Sequence, residues 1–132
     1  MLPIPDSPKF NILVVDDEAA IRRILPILFR RAGYLVQTAS NGEEARSMVS
    51  SSEVHFDVVI TDHNMPVLSG DGLVRSLKET GFAGMILVCS AFLTPELKCY
   101  YLKLGVRECL SKPVSWEDLR DRVNEFTTDV GS

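Results

Sequence analysis

Short runs of apolar residues alternate along the chain with longer segments whose apolar residues recur at helical spacing. Strict alternation of this kind is typical of βα units arranged around a parallel sheet. The first and fourth runs are continuously apolar, which indicates strands buried on both faces. The second and fifth are more polar, which predicts edge positions. The predicted strands are residues 11–15, 34–39, 57–61, 85–89 and 107–110.

A helical segment follows each predicted strand, and several of these segments carry start signals. The first begins at Glu18, and Pro26 within it removes a backbone donor, which predicts a kink or an energetic cost. Ser40 with Glu43 predicts a capping box for the second helix. Ser115 is a predicted N-cap for the fifth helix. The alternation fills residues 10–128.

The length of 132 residues supports one domain. We expect a flexible N-terminal segment at residues 1–9, the domain at residues 10–128, and a C-terminal tail at residues 129–132. The formal net charge of −4 repels polyanions and disfavours direct nucleic-acid binding. No segment has the roughly 18 apolar residues that a membrane-spanning helix requires, so we expect no membrane insertion. Three cysteines without a C-x-x-C pair argue against a disulfide framework, and we expect a cytoplasmic protein.

Polar residues follow four of the five predicted strands. In an open parallel sheet, ligands bind beyond the carboxyl ends of the strands, at the point where the winding direction reverses. Any one of these residues alone is an ordinary turn or cap residue, so the functional interpretation depends on their convergence. They are Asp16, Asp17, Asp62, Ser90 and Lys112.

Three carboxylates gathered at one edge repel each other, which implies that a cation shares the space. The available donors are hard oxygens without a paired His or Cys set, and this fits Mg²⁺. Lys112 adds a positive charge and Ser90 a hydroxyl, so a phosphoryl group would find favourable contacts. Asp62 is the natural nucleophile, because a carboxylate can form an aspartyl phosphate.

Four motifs make the chain resemble a response regulator receiver domain of two-component signalling, in the CheY-like superfamily. The resemblance covers essentially the whole chain. It implies a flavodoxin-like (βα)5 doubly wound α/β sandwich, with a five-stranded parallel sheet in the order 2-1-3-4-5. The motifs are VVDDE at residues 14–18, ITDHNMPVLSG at 60–70, VCSA at 88–91 and SKP at 111–113.

The resemblance also implies a metal site and a phosphate donor. It implies that Asp62 accepts a phosphoryl group from a histidine kinase or a histidine phosphotransfer protein. Mg²⁺ would be held by Asp16, Asp17, Asp62 and the backbone carbonyl of Asn64, with Asp16 often acting through water. The implied protein is a signalling switch with an unknown downstream protein target. It is not a metabolic enzyme, although it catalyses its own phosphotransfer and slow autodephosphorylation.

The resemblance further implies that Ser90 provides the switch hydroxyl and that Lys112 contacts the phosphoryl group. It also implies a cis peptide bond before Pro113. Receivers commonly carry Tyr or Phe three residues before this lysine, where the present chain has Cys109. A cysteine offers fewer contacts than the aromatic ring whose coupled movement is usual in such domains.

Three further residues lie near these motifs. We expect the side chain of His63 to point to solvent, since its neighbour Asp62 points into the pocket. Tyr100 and Tyr101 are candidates for an output surface.

Two other functions fit the same fold. One is a protein-interaction module that acts without phosphate, although the full set of acids, hydroxyl and lysine speaks against it. The other is a small hydrolase that forms an aspartyl phosphate. Such hydrolases require D-x-D after the first strand, whereas Asp16 and Asp17 are adjacent, and the G-x-S-x-G nucleophile elbow is absent.

Overall fold

Strands and helices alternate along the whole computed structural model, which describes residues 10–51 and 53–131. The predicted segment at residues 1–9 lies outside the described residues. The last helix continues to Gly131, three residues past the predicted domain boundary. The elements are β1 Asn11–Val15, α1 Ala19–Arg31, β2 Leu35–Ala39, α2 Gly42–Ser50, β3 Val58–Asp62, α3 Gly70–Glu79, β4 Met85–Ser90, α4 Pro95–Lys103, β5 Glu108–Ser111 and α5 Trp116–Gly131.

The sheet is parallel and has the strand order β2-β1-β3-β4-β5, which confirms the predicted doubly wound architecture. After β2 the chain crosses to the opposite side of β1, so the winding direction reverses between β1 and β3. Ligands collect at this point in open parallel sheets. The edge positions predicted for β2 and β5 are also confirmed.

The apolar core lies on both faces of the sheet, because side chains alternate along each strand. In β1, Leu13 and Val15 belong to the cluster on one face, whereas Ile12 and Val14 belong to the cluster on the other. Helices α2, α3 and α4 contribute to the first cluster, and α1 and α5 to the second. Among the described residues, no helix combines the length and the apolar character needed to cross a membrane.

The start of α2 differs from the prediction by one residue. Asn41, not Ser40, is the N-cap, and its side-chain oxygen accepts a hydrogen bond from the Glu44 N–H at 2.8 Å. The Glu44 carboxylate in turn accepts from the Ser40 N–H at 2.8 Å, so the predicted pairing of Ser40 with Glu43 is wrong. Asn is at least as good an N-cap as Ser, and Glu43 pairs with Arg46 instead.

The first helix tolerates its internal proline. Pro26 is buried, and α1 continues on both sides of it as one element. The aromatic ring of Phe29 meets the Trp116 ring edge-on at a centroid distance of 4.7 Å, which ties α1 to the start of α5. Ser115 caps α5 as predicted, since its hydroxyl accepts from the Asp118 N–H at 3.0 Å.

Packing of the central strands predicts an unequal response to two leucine truncations. Leu87 in β4 is fully buried, so Leu87→Ala should lower the free energy of unfolding by about 2–5 kcal/mol. Leu102 in α4 is 45% exposed, and Leu102→Ala should change it by about 0.5 kcal/mol or less. Urea unfolding followed by circular dichroism measures both, and equal losses would contradict the described core.

Candidate functional site

The polar residues singled out in the sequence lie at the carboxyl ends of β1, β3, β4 and β5. Asp62 and Ser90 are the last residues of β3 and β4. Asp16 and Lys112 come directly after β1 and β5. Because β1 and β3 are neighbours in the sheet, with Val15 opposite Thr61 in the register, the two aspartates follow adjacent strands.

Three carboxylates converge at this edge. Asp16, Asp17 and Asp62 each offer one oxygen, and these oxygens lie within 4.8 Å of one another. Asp16 is 5% exposed and Asp62 is 8% exposed, whereas Asp17 faces solvent. The predicted convergence of these three side chains is therefore present in the structure.

Lys112 supplies the positive charge within the cluster. Its ammonium lies 3.2 Å from a carboxylate oxygen of Asp16 and 3.2 Å from one of Asp62, and 3.8 Å from Glu18. The Lys112 backbone N–H donates to the carbonyl of Ser90 at 2.9 Å. The peptide bond between Lys112 and Pro113 is cis, as the resemblance implies.

The three clustered carboxylates and the ammonium leave two net negative charges. Burial raises the pKa of the Asp16 carboxyl, although the Glu18 N–H and the Lys112 ammonium act in the opposite direction. Burial lowers the pKa of Lys112, but the attraction of Asp16 and Asp62 outweighs it and the net pKa is raised. Lys112 therefore stays protonated at neutral pH.

Local hydrogen bonds fix the turn that carries Asp16. One carboxylate oxygen of Asp16 accepts from the Glu18 N–H at 2.9 Å, in a turn that precedes α1. The guanidinium of Arg22 in α1 donates to the Asp16 carbonyl at 2.7 Å. One carboxylate oxygen of Asp16 is thus held by the backbone of Glu18 while the other faces Lys112.

The other predicted site residues surround this cluster. Ser90 is buried, and its hydroxyl oxygen accepts from the Phe92 N–H at 3.2 Å. Asn64 is exposed and lines the same surface depression as Asp17. A cavity of about 440 Å³ adjoins Asp62 and Lys112 on the side of α1 and α5. Its walls are mainly apolar, formed by Val14, Ile21, Leu25, Ile60, Val114 and Leu119 among others.

The loop after β3 contains a backbone outlier. Val67 has a positive φ of 71° and is 79% exposed. The Leu68 N–H donates to the Pro66 carbonyl at 2.8 Å, which closes a three-residue turn around Val67. This is the strained form of the γ-turn, and it is especially unusual for a β-branched residue.

His63 and Tyr101 occupy positions that differ from the prediction. His63 does not point to solvent: it is half-buried, and its Nδ1 lies 2.5 Å from the hydroxyl of Tyr101. Tyr101 is fully buried, so it cannot belong to an output surface, whereas Tyr100 is exposed. The signal was present in the spacing, because Leu97, Tyr101 and the C-cap residue Leu104 recur at helical intervals on the inward side of α4.

Cys109 is buried in β5, where the resemblance leads one to expect an aromatic ring. It belongs to the same apolar cluster as Tyr101. Burial raises the pKa of its thiol. The buried aromatic ring of this region therefore comes from α4.

Comparison with known sequences places the chain in one family. Residues 12–124 match the response regulator receiver domain. The chain is 31% identical over 127 residues to the sensor histidine kinase RcsC of Escherichia coli, covering 96% of this chain but only 13% of that protein. It is 33% identical over 106 residues to the two-component response regulator ARR22 of Arabidopsis thaliana, covering 80% of this chain and 75% of the relative.

Comparison with solved structures agrees with the sequence match. The receiver domain of the Francisella response regulator 1452 superposes with a TM-score of 0.85 at 29% identity, covering 92% of this chain and 99% of that one. The chemotaxis response regulator CheY4 of Vibrio cholerae gives 0.81 at 30% identity, covering 90% and 99%. The chain therefore belongs to the response regulator receiver domain family of two-component signalling.

Proposed function

We propose that this receiver domain is a phosphorylation-controlled switch in which Asp62 accepts a phosphoryl group from a phosphohistidine. The observation that supports this most is the contact of one ammonium with two buried carboxylates, 3.2 Å from each, beside a third carboxylate. The donor would be a histidine kinase or a histidine phosphotransfer protein, and the output a contact with a downstream protein.

The donor set fits Mg²⁺. Asp16, Asp17 and Asp62, with the backbone carbonyl of Asn64, offer only oxygen ligands, which Mg²⁺ prefers. The two net negative charges of the cluster would be neutralised by one divalent cation. When bound, Mg²⁺ supplies positive charge that offsets the repulsion among the acids and the phosphoryl oxygens.

The transfer itself requires little from the protein beyond position and charge. An oxygen of the Asp62 carboxylate attacks phosphorus, and the bond between phosphorus and the donor imidazole nitrogen breaks, leaving its electron pair on that nitrogen. The product is a mixed anhydride on Asp62. The Lys112 ammonium donates to a phosphoryl oxygen, and the Ser90 hydroxyl donates to another once it turns away from the Phe92 N–H.

The local chemistry disfavours a competing nucleophile. Cys89 precedes Ser90 and lines the cavity beside Asp62, but burial raises the pKa of its thiol to about 12. It therefore stays a thiol at neutral pH, and the thiolate is the reactive form. The Asp62 carboxylate lies 3.2 Å from the Lys112 ammonium, so a phosphoryl group that reaches Asp62 would also meet Lys112.

Phosphorylation by a small donor tests the role of Asp62. Acetyl phosphate with Mg²⁺ should add one phosphoryl group to the wild type and none to Asp62→Asn, because the amide is not a nucleophile at phosphorus. Asp121→Asn, an exposed change on α5, should behave as the wild type. Intact-mass spectrometry measures the uptake. No uptake by the wild type would favour the phosphate-independent module, and turnover of phosphate esters would favour the hydrolase.

Calorimetric titration with Mg²⁺ tests the metal site. Asp17→Asn should weaken binding by about tenfold or more, because it removes one of three clustered charges. The variant should still fold, since Asp17 is exposed. The matched change Asp121→Asn should leave the affinity unaltered, and an equal loss in both variants would argue against a site at Asp17.

Replacing the lysine should separate metal binding from phosphotransfer. Lys112→Met should tighten Mg²⁺ binding by about tenfold, since the ammonium contacts two of the proposed ligands and repels the ion. It should also slow phosphorylation by about a hundredfold, since it removes a donor to the phosphoryl oxygens. Lys103→Met on the exposed side of α4 is the control. Weaker Mg²⁺ binding in Lys112→Met would contradict this assignment.

A further inference from the structure

Helix α4 is attached to the rest of the protein mainly through one side chain. All nine of its residues are described, and Tyr101 is the one that is buried. Leu97 is half-buried, and the other residues face solvent. A helix with so small a buried face depends on few contacts for its position. The Tyr101 side chain is therefore the main buried anchor of α4.

The Tyr101 hydroxyl reaches the residue that follows the proposed phosphoacceptor. It lies 2.5 Å from Nδ1 of His63, and the two rings are perpendicular at a centroid distance of 5.5 Å. Burial raises the pKa of Tyr101, so the hydroxyl is protonated and is able to donate to this nitrogen. A buried hydroxyl without such a partner would carry a desolvation cost.

The backbone of His63 is held on two sides. Its N–H donates to the carbonyl of Cys89 at 3.0 Å, directly before Ser90, and its carbonyl accepts from the Gly70 N–H at 2.9 Å. A Cβ at Gly70 would lie 2.5 Å from the Asp62 carbonyl oxygen and 3.1 Å from the Tyr101 hydroxyl, so this junction is closely packed. The backbone that carries the His63 ring is therefore bonded to the end of β4 and to the start of α3, directly after Asp62 at the end of β3.

We propose that the hydrogen bond between Tyr101 and His63 transmits phosphorylation at Asp62 to helix α4. This inference rests on the proposed function. A modification shifts a two-state element only through contacts that differ between the states. The Tyr101 hydroxyl is placed to make such a contact, because it joins α4 to the side chain of His63, whose backbone N–H bonds to Cys89 beside Ser90. Tyr101 acts here as a positioning residue, since it touches neither the acids nor the phosphoryl group.

The test removes one oxygen atom and compares two adjacent tyrosines. Tyr101→Phe deletes the hydroxyl and keeps the buried ring. Tyr100→Phe is the matched control, because the Tyr100 hydroxyl also bonds to a neighbouring helix, 3.3 Å from Asp71 of α3, but at the surface. Hydrogen exchange of the α4 amides is measured by mass spectrometry with Mg²⁺, before and after acetyl phosphate. Intact mass gives the extent of phosphorylation.

Three results are expected. In the unmodified protein, Tyr101→Phe should accelerate exchange in α4 by about five- to tenfold, the equivalent of one lost hydrogen bond. Phosphorylation should change α4 exchange in the wild type and in Tyr100→Phe but leave it nearly unchanged in Tyr101→Phe. His63→Phe should reproduce the Tyr101→Phe result, and the double variant should add little, because both remove the same bond.

The outcomes separate this inference from the proposed function. Normal phosphoryl uptake with the same α4 response in Tyr101→Phe and wild type would overturn the inference alone. The same holds if phosphorylation of the wild type leaves α4 exchange unaltered. Absence of phosphoryl uptake by the wild type would overturn both. Unfolding of Tyr101→Phe is detected by circular dichroism, in which case His63→Phe alone decides between these outcomes.

Discussion

Electrostatic repulsion between the acids at the ends of β1 and β3 is the constraint on which the site depends. Asp16 and Asp62 are nearly excluded from water, which makes their charges costly. The Lys112 ammonium lies equally close to both and offsets part of that cost. It cannot balance Asp17 as well, so the cluster keeps an excess of negative charge. Repulsion among the acids therefore remains at this edge of the sheet. A bound cation or a change in protonation would alter it.

The parallel sheet holds these charged residues together. Neighbouring strands in register bring their carboxyl ends to one edge, and each end is fixed by backbone hydrogen bonds to the next strand. The apolar residues of β1, β3 and β4 are buried on both faces, which anchors the polar residues that follow them. Burial of the apolar residues in these strands therefore offsets the unfavourable free energy of the charged residues at their ends.

Much of this was predictable from the sequence because apolar periodicity and strand ends are local features. The positions of the acids follow from these local patterns, whereas the strand order and the cis peptide before Pro113 were implied by the resemblance to the receiver family. The direction of the His63 side chain was not predictable, since it depends on a hydroxyl supplied by helix α4, 38 residues further along the chain. Tyr101 was misassigned because α4 is mostly exposed, although its helical spacing from Leu97 was visible in the sequence.

The turn at Val67 has a consequence for whatever approaches Asp62. A β-branched residue with positive φ is disfavoured by about 1–2 kcal/mol, and such a conformation persists only where the surrounding chain imposes it. Met65 and Leu68, on either side of the turn, pack against the core, so the contour of the turn is set by the fold. A molecule that docks on this loop meets a preorganised surface, and the loop loses little conformational entropy when the complex forms.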